Sequence, residues 1–209
     1  MTSIDHYPLF LLSGLAVWIF FSASLESATR SMLDSAELIK KVRFPRQLVA
    51  FSVVATQLVT FVAMLVVLFV VNLAVLPRTR DVIWLSLPLA VAVIALVAGV
   101  SLTVASLNVL FRDVEHLVSA LLLPWFFLTP ILYLLEELPG SLGRYETFAH
   151  VLRYVNFMTP PIYAIRAPLF FGELPRLVDV LYLCGAAAVA LALGAWVFSR
   201  VDDRIAVEL

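Results

Sequence analysis

Val82–Phe111 reads VIWLSLPLAVAVIALVAGVSLTVASLNVLF, thirty residues in succession without Asp, Glu, Lys or Arg. A helix needs about 20 apolar residues to cross the hydrocarbon core of a bilayer, so this run can span it with length left for tilt. The run lacks period-2 alternation, which argues against a barrel strand, and only helices and closed barrels satisfy every backbone group in lipid. Four other windows are equally free of charge: Tyr7–Leu25, Gln47–Pro77, Leu117–Leu135 and Val180–Ser199. The expected fold class is therefore all-α, a polytopic membrane helical bundle with five spans in one domain, 1–209.

Composition agrees. Hydrophobic residues make up 63% of the chain and mean hydropathy is +1.03, above the roughly 45–50% apolar content of soluble domains. The net charge of −1 hides clustering of the few charges. No extended basic face is present to neutralise phosphates, which argues against nucleic acid as a partner. Cys184 is alone, so no intrachain disulfide forms. His6, His116 and His150 show no metal-ligand spacing. The chain lacks a Gly-x-x-x-x-Gly-Lys-Ser/Thr loop, which excludes ATP hydrolysis by that route. Glu136-Glu137 marks the exit of a span more naturally than an acid–base pair, and the spans hold no ionisable group of the kind that membrane enzymes and proton relays need. No Lys or Arg precedes Tyr7 to form a cleavable leader, so the first apolar run reads as a retained span.

Cations set the expected orientation. Arg30, Lys40, Lys41, Arg43 and Arg46 follow the first span; Arg78 and Arg80 follow the second; Arg112 the third; Arg144, Arg153, Arg166 and Arg176 the fourth; Arg200 and Arg204 the last. Alternate sides hold eight against six, and the five-cation loop decides the matter in favour of a cytoplasmic position. The amino terminus is then outside and the carboxyl terminus inside. Between Glu136 and Asp179, Phe148, Val151, Leu152 and Val155 have helical amphipathic spacing, and Pro160-Pro161 precedes Ile162, Ile165 and Leu169. Two short helices at about 144–171, lying in or dipping into the outer interface, are expected, with an ordinary extramembrane loop as the alternative.

ELIKKVRFPRQ, Glu37–Gln47, carries four cations within seven positions. Burying them would cost on the order of 10 kcal/mol, so the segment belongs in water or at the headgroups. Its pattern is helix-like, and Pro45 marks a break before the next span. Charge alone is also satisfied by an anchor that sets topology and touches anionic lipid.

LIKKVRFPRQ follows a span that ends ATRSMLDSAE; LNVLFRDVEHLV, LLLPWFFLTPILY, YVNFMTPPIYAIRAPLF and a last span closing FSRVDDRIAVEL come after it. In this order the sequence resembles the membrane subunit of ABC-2 type exporters, in the branch that moves polysaccharide or polyol-phosphate precursors. The resemblance implies a permease homodimer that works with two ATP-binding subunits in the cytoplasmic (inner) membrane, moving a lipid-linked glycan. It implies that ATP and magnesium are bound by the partner subunit, this chain holding no cofactor and acting as no enzyme. It also implies a coupling segment at about 30–46, with Glu37, Leu38, Ile39, Lys40, Lys41, Arg43, Phe44, Pro45 and Arg46 seated on the ATPase. The family has six spans; its first has no counterpart ahead of Tyr7, which would follow from a late-placed start, a truncated gene or a helix supplied by a partner. A drug or simple-lipid permease and a non-transporting scaffold of glycan assembly are the alternatives.

Asn108, Arg112 and Asp113 sit where the third span turns into the fourth, either capping helix ends or guiding an anionic headgroup. Trp125, Phe126 and Tyr133 lie on a span interrupted by Pro124 and Pro130, and Tyr154 and Tyr163 lie near the outer mouth. Aromatic faces stack on sugar rings, so these five residues are candidates for a substrate path; helix packing and an interfacial aromatic belt account for them equally well.

Overall fold

A computed structural model describes residues 6–41, 45–134 and 153–208, with side chains for 6–38, 45–134 and 153–202. Seven α-helices are found among them: α1 (Tyr7–Asp34), α2 (Ala36–Lys41), α3 (Gln47–Val75), α4 (Ser86–Leu110), α5 (Val114–Leu128), α6 (Thr159–Arg166) and α7 (Leu177–Glu208). Short 3₁₀ turns at Pro77–Thr79 and Ile83–Leu85 join α3 to α4, and a π turn, Ala167–Phe171, extends α6. No strand occurs among the described residues.

Proline places most of the boundaries. Pro45 lacks the N–H that would continue α2, and its carbonyl instead accepts the Leu48 N–H at the start of α3. Pro77 follows the end of α3, Pro130 follows the end of α5, and Pro160-Pro161 opens α6, where missing N–H groups cost nothing. The chain leaves the π turn at Gly172 with φ +71°, a left-handed conformation. A Cβ there would also meet the backbone carbonyl of Arg78.

Four helices are long and apolar enough to cross a membrane: Tyr7–Asp34, Gln47–Val75, Ile83–Leu110 and Leu177–Asp202. They match four of the five expected windows. The fourth window, Leu117–Leu135, is occupied by a 15-residue helix, roughly 22 Å long at 1.5 Å per residue and short of the bilayer core. Its end is chemical. Pro130 cannot donate onward, and the Thr129 N–H and hydroxyl both turn back to the Trp125 carbonyl.

α1 is the central element, with Phe10, Ala16, Val17, Phe20 and Phe21 buried against α3, α4, α5 and α6. Phe20 stacks on Phe61 of α3 with ring centres 4.6 Å apart. α3 is peripheral and turns Val59, Val62, Val66, Val67 and Val70 outward, the side on which acyl chains replace water. α4 and α7 pack closely because Gly99 and Gly194 face each other; a Cβ on Gly194 would lie 2.6 Å from the Gly99 carbonyl oxygen. Small residues at such a crossing let backbones approach where no hydrophobic force separates helix from lipid.

The expected pair of helices at 144–171 is partly outside the described residues; Phe148, Val151 and Leu152 are among those not described, and residues 153–155 are helical. All eight residues of α6 are buried, so it is inserted into the bundle.

Candidate functional site

Two clusters of polar and aromatic side chains stand at opposite ends of the bundle. At one end meet the last turns of α1, α4 and α7, the starts of α3 and α5, and α2. Asn108 is fully buried there; its amide donates to the Thr29 carbonyl at 2.9 Å and its side-chain oxygen accepts the Glu115 N–H at 3.1 Å. It thereby ties α1, α4 and α5 together. Replacing Asn108 by Leu leaves the Glu115 N–H without its acceptor and removes a second bond to the Thr29 carbonyl, and the expected loss is about 1–3 kcal/mol. Detergent unfolding of the purified variant measures it, and a loss near zero would remove Asn108 from this role.

Arg112 and Asp113 are exposed beside it, on the turn between α4 and α5. The cation that reaches across is Arg30, which pairs with Glu115 at 2.5 Å. These two line a polar cavity of about 340 Å³ with Glu26, Ser27, Thr29 and Ser119. Arg30 lines this cavity, and the headgroup candidates Asn108, Arg112 and Asp113 are not on its wall.

Of the coupling candidates, Glu37 and Leu38 are exposed on α2, with Leu38 52% accessible. Ile39, Lys40 and Lys41 complete that helix as backbone, and Arg43 and Phe44 lie outside the described residues. Pro45 is described at the break before α3. Arg46 is engaged within the chain, its guanidinium 2.9 Å from the Asp202 carboxylate at the end of α7.

Toward the other end, Trp125 and Phe126 join an aromatic cluster with Trp18, Phe21 and Phe157, neighbouring ring centres lying 4.9–6.3 Å apart. The Trp125 indole N–H donates to Asn156 at 2.9 Å, and the Asn156 amide donates to Thr129 at 2.8 Å. Trp18, Phe21, Asn156 and Phe157 were not singled out from the sequence, since their neighbours lie on other elements. Tyr133 is half-buried after the α5 break, next to Leu132, whose carbonyl accepts the Tyr7 hydroxyl.

Tyr154 and Tyr163 belong to a separate group around a buried ion pair. Arg153 and Asp179 meet at 2.5 Å with side chains 7% and 2% exposed, and the guanidinium lies 4.4 Å from the Tyr163 ring centre. Burial pulls the Arg153 pKa down, while the hydrogen bond and charge of Asp179 outweigh it and leave the group above its ordinary value. A cavity of about 260 Å³ opens beside the pair, with Glu173 and Arg176 on its wall. Among the described residues no cluster of His, Cys, Asp and Glu could hold a metal ion.

Four long apolar helices packed in one bundle, with a short buried helix among them, define a multi-pass membrane protein. The model of the ABC-2 type transporter family matches residues 3–170. The chain is 31% identical over 207 residues to the O-antigen export system permease protein RfbA of Myxococcus xanthus, an alignment covering 98% of this chain and 76% of the relative. It is also 31% identical over 206 residues to the protein of that name from Klebsiella pneumoniae, covering 97% and 76%. The chain belongs to the ABC-2 type transporter family, as a membrane permease and not an enzyme.

Proposed function

We propose that this chain, 1–209 acting as one transmembrane domain, is the permease subunit of an ATP-driven exporter of a lipid-linked polysaccharide or polyol-phosphate precursor. It works as a homodimer in the cytoplasmic membrane with its carboxyl terminus inside. A separate ATP-binding partner holds ATP and magnesium. The observation that carries this reading is the course of α1, which runs unbroken through the bundle and leads, after Ser35, into the six-residue α2, where Glu37 and Leu38 are exposed.

A short helix at the end of a long rigid one is a lever. An exposed Leu38 offers an apolar contact, Lys40, Lys41 and Arg43 offer charge, and closure of the partner displaces α1 with it. Arg46, bound to Asp202, anchors the far end of the segment to α7 and is not part of the free docking face. Similarity to O-antigen export permeases over nearly the whole chain supports a glycan as cargo, and the aromatic cluster around Trp125 and Phe126, with Tyr133, Tyr154 and Tyr163 beyond it, is proposed to line its path. Arg30, with the Glu115 cavity, takes the headgroup role in place of Arg112.

Co-purification with the ATP-binding partner tests the lever. The variant Lys40→Glu, Lys41→Glu, Arg43→Glu, with membrane insertion verified, is expected to lose the complex and its stimulated ATP hydrolysis. Binding and hydrolysis at native levels would return these cations to topology anchoring.

A further inference from the structure

Arg166, the last residue of α6, is 0% exposed. Its Nε donates to Ser13 Oγ at 3.3 Å, Nη1 to the Pro130 carbonyl at 3.1 Å and Nη2 to the Ile131 carbonyl at 3.1 Å. The guanidinium carbon lies 4.0 Å from the centre of the Phe10 ring. Gly14 clears the space, because a Cβ there would collide with Nη2. Among the described residues these partners are a hydroxyl, two carbonyls and a ring, and none is a carboxylate.

A cation buried in a membrane bundle with no carboxylate beside it among the described residues calls for a reason. The two carbonyls belong to the chain just past the end of α5 at Leu128, and both residues are buried. A planar fork with several fixed donors suits two adjacent carbonyls in a way an ammonium does not. Ser13 and Phe10, in contrast, belong to α1. Arg166 therefore bridges the break to the first helix. At its other end α1 is also joined to α5, through Arg30–Glu115 and through Asn108, which holds Thr29 and Glu115.

We infer that Arg166 is a positioning residue that locks the 129–134 break onto α1, so that displacement of α1 by the ATP-binding partner reaches this segment. The inference rests on the lever reading above only for the source of the displacement; the lock stands on its own contacts. Without the guanidinium, the break moves independently of α1, and ATP-driven motion stops at the helix.

The test uses the full permease with Cys184→Ser and Leu132→Cys, in proteoliposomes, alone and with its ATP-binding partner, and reads the rate of maleimide labelling at position 132. In the permease alone, Arg166→Gln is expected to raise the rate about tenfold by freeing the segment. Gly14→Ala, which keeps the charge but displaces the guanidinium, is expected to do the same, with Arg166→Lys in between. In the complex, ATP is expected to change the rate about threefold with Arg166 present and not at all in Arg166→Gln or Gly14→Ala, although ATP hydrolysis continues. A purely structural residue would lower the yield of folded protein and leave the ATP response of the folded fraction intact. An unchanged basal rate in both variants, or an ATP response that survives in them, overturns the inference. If Arg166→Gln does not fold, Gly14→Ala decides alone. Failure of the partner to bind would overturn the lever reading and leave the lock to be judged on the permease by itself.

Discussion

Asp179→Ala is expected to destabilise the bundle by about 3–5 kcal/mol, because it removes a carboxylate paired with a largely buried guanidinium. Arg153 keeps only 7% of its side-chain surface and Asp179 only 2%, and the pair is closed further by the Tyr163 ring. The Tyr154 hydroxyl also reaches Asp179 at 3.5 Å, and the Tyr182 hydroxyl donates to the Tyr154 carbonyl at 2.9 Å. Loss of the carboxylate therefore loosens the start of α7 together with the helical residues 153–155. The double change Arg153→Met, Asp179→Leu removes both charges and should recover most of the loss, since apolar replacements of buried pairs are often neutral. Reversible unfolding in mixed detergent measures all three variants. A loss under about 1 kcal/mol for Asp179→Ala would show that water reaches the pair, as at exposed ion pairs.

Gly99→Leu is the second change with a large expected effect. A Cβ at position 99 meets the backbone of Ala190 and Leu191, and backbone cannot rotate aside as a side chain can. The α4–α7 crossing must then open along its length. The expected cost is at or above the upper end of the about 1–3 kcal/mol typical of overpacking. Gly185→Ala on the same α7 is the control, since nothing lies within 4 Å of its added Cβ; there helix propensity should make the change neutral or stabilising by up to about 1 kcal/mol. Equal yields of monodisperse protein from Gly99→Leu and Gly185→Ala would refute the close crossing.

The candidate site was legible from the sequence wherever a residue's role depends on its own segment. The break after α2 follows from Pro45, and Glu37 and Leu38 on α2 are exposed. The aromatic run at Trp125 and Phe126 was visible as a run, but its partners Trp18 and Asn156 were not. Arg112 and Asp113 stood out as charges at a turn, whereas Arg30, which reaches Glu115, looked like one more cation of the same loop. Arg153 and Arg166 were counted among loop charges on the outer side. Their partners lie 26 residues away at Asp179, and 36 and 153 residues away at Pro130 and Ser13; nothing local announces such pairs.

By itself the sequence determined the four long spans α1, α3, α4 and α7, because lipid excludes charge and unpaired backbone whatever the neighbours are. Pro124 and Pro130 both read as interruptions of one span; the helix runs through Pro124 and stops just before Pro130, a choice that local sequence did not make. Only the tertiary structure decided that α6 is buried, that Asn108 is a tie between helices and that two arginines leave water. Burial of a polar group is favourable only where distant segments bring donors and acceptors to it at once, and that convergence is a property of packing, not of any stretch of chain.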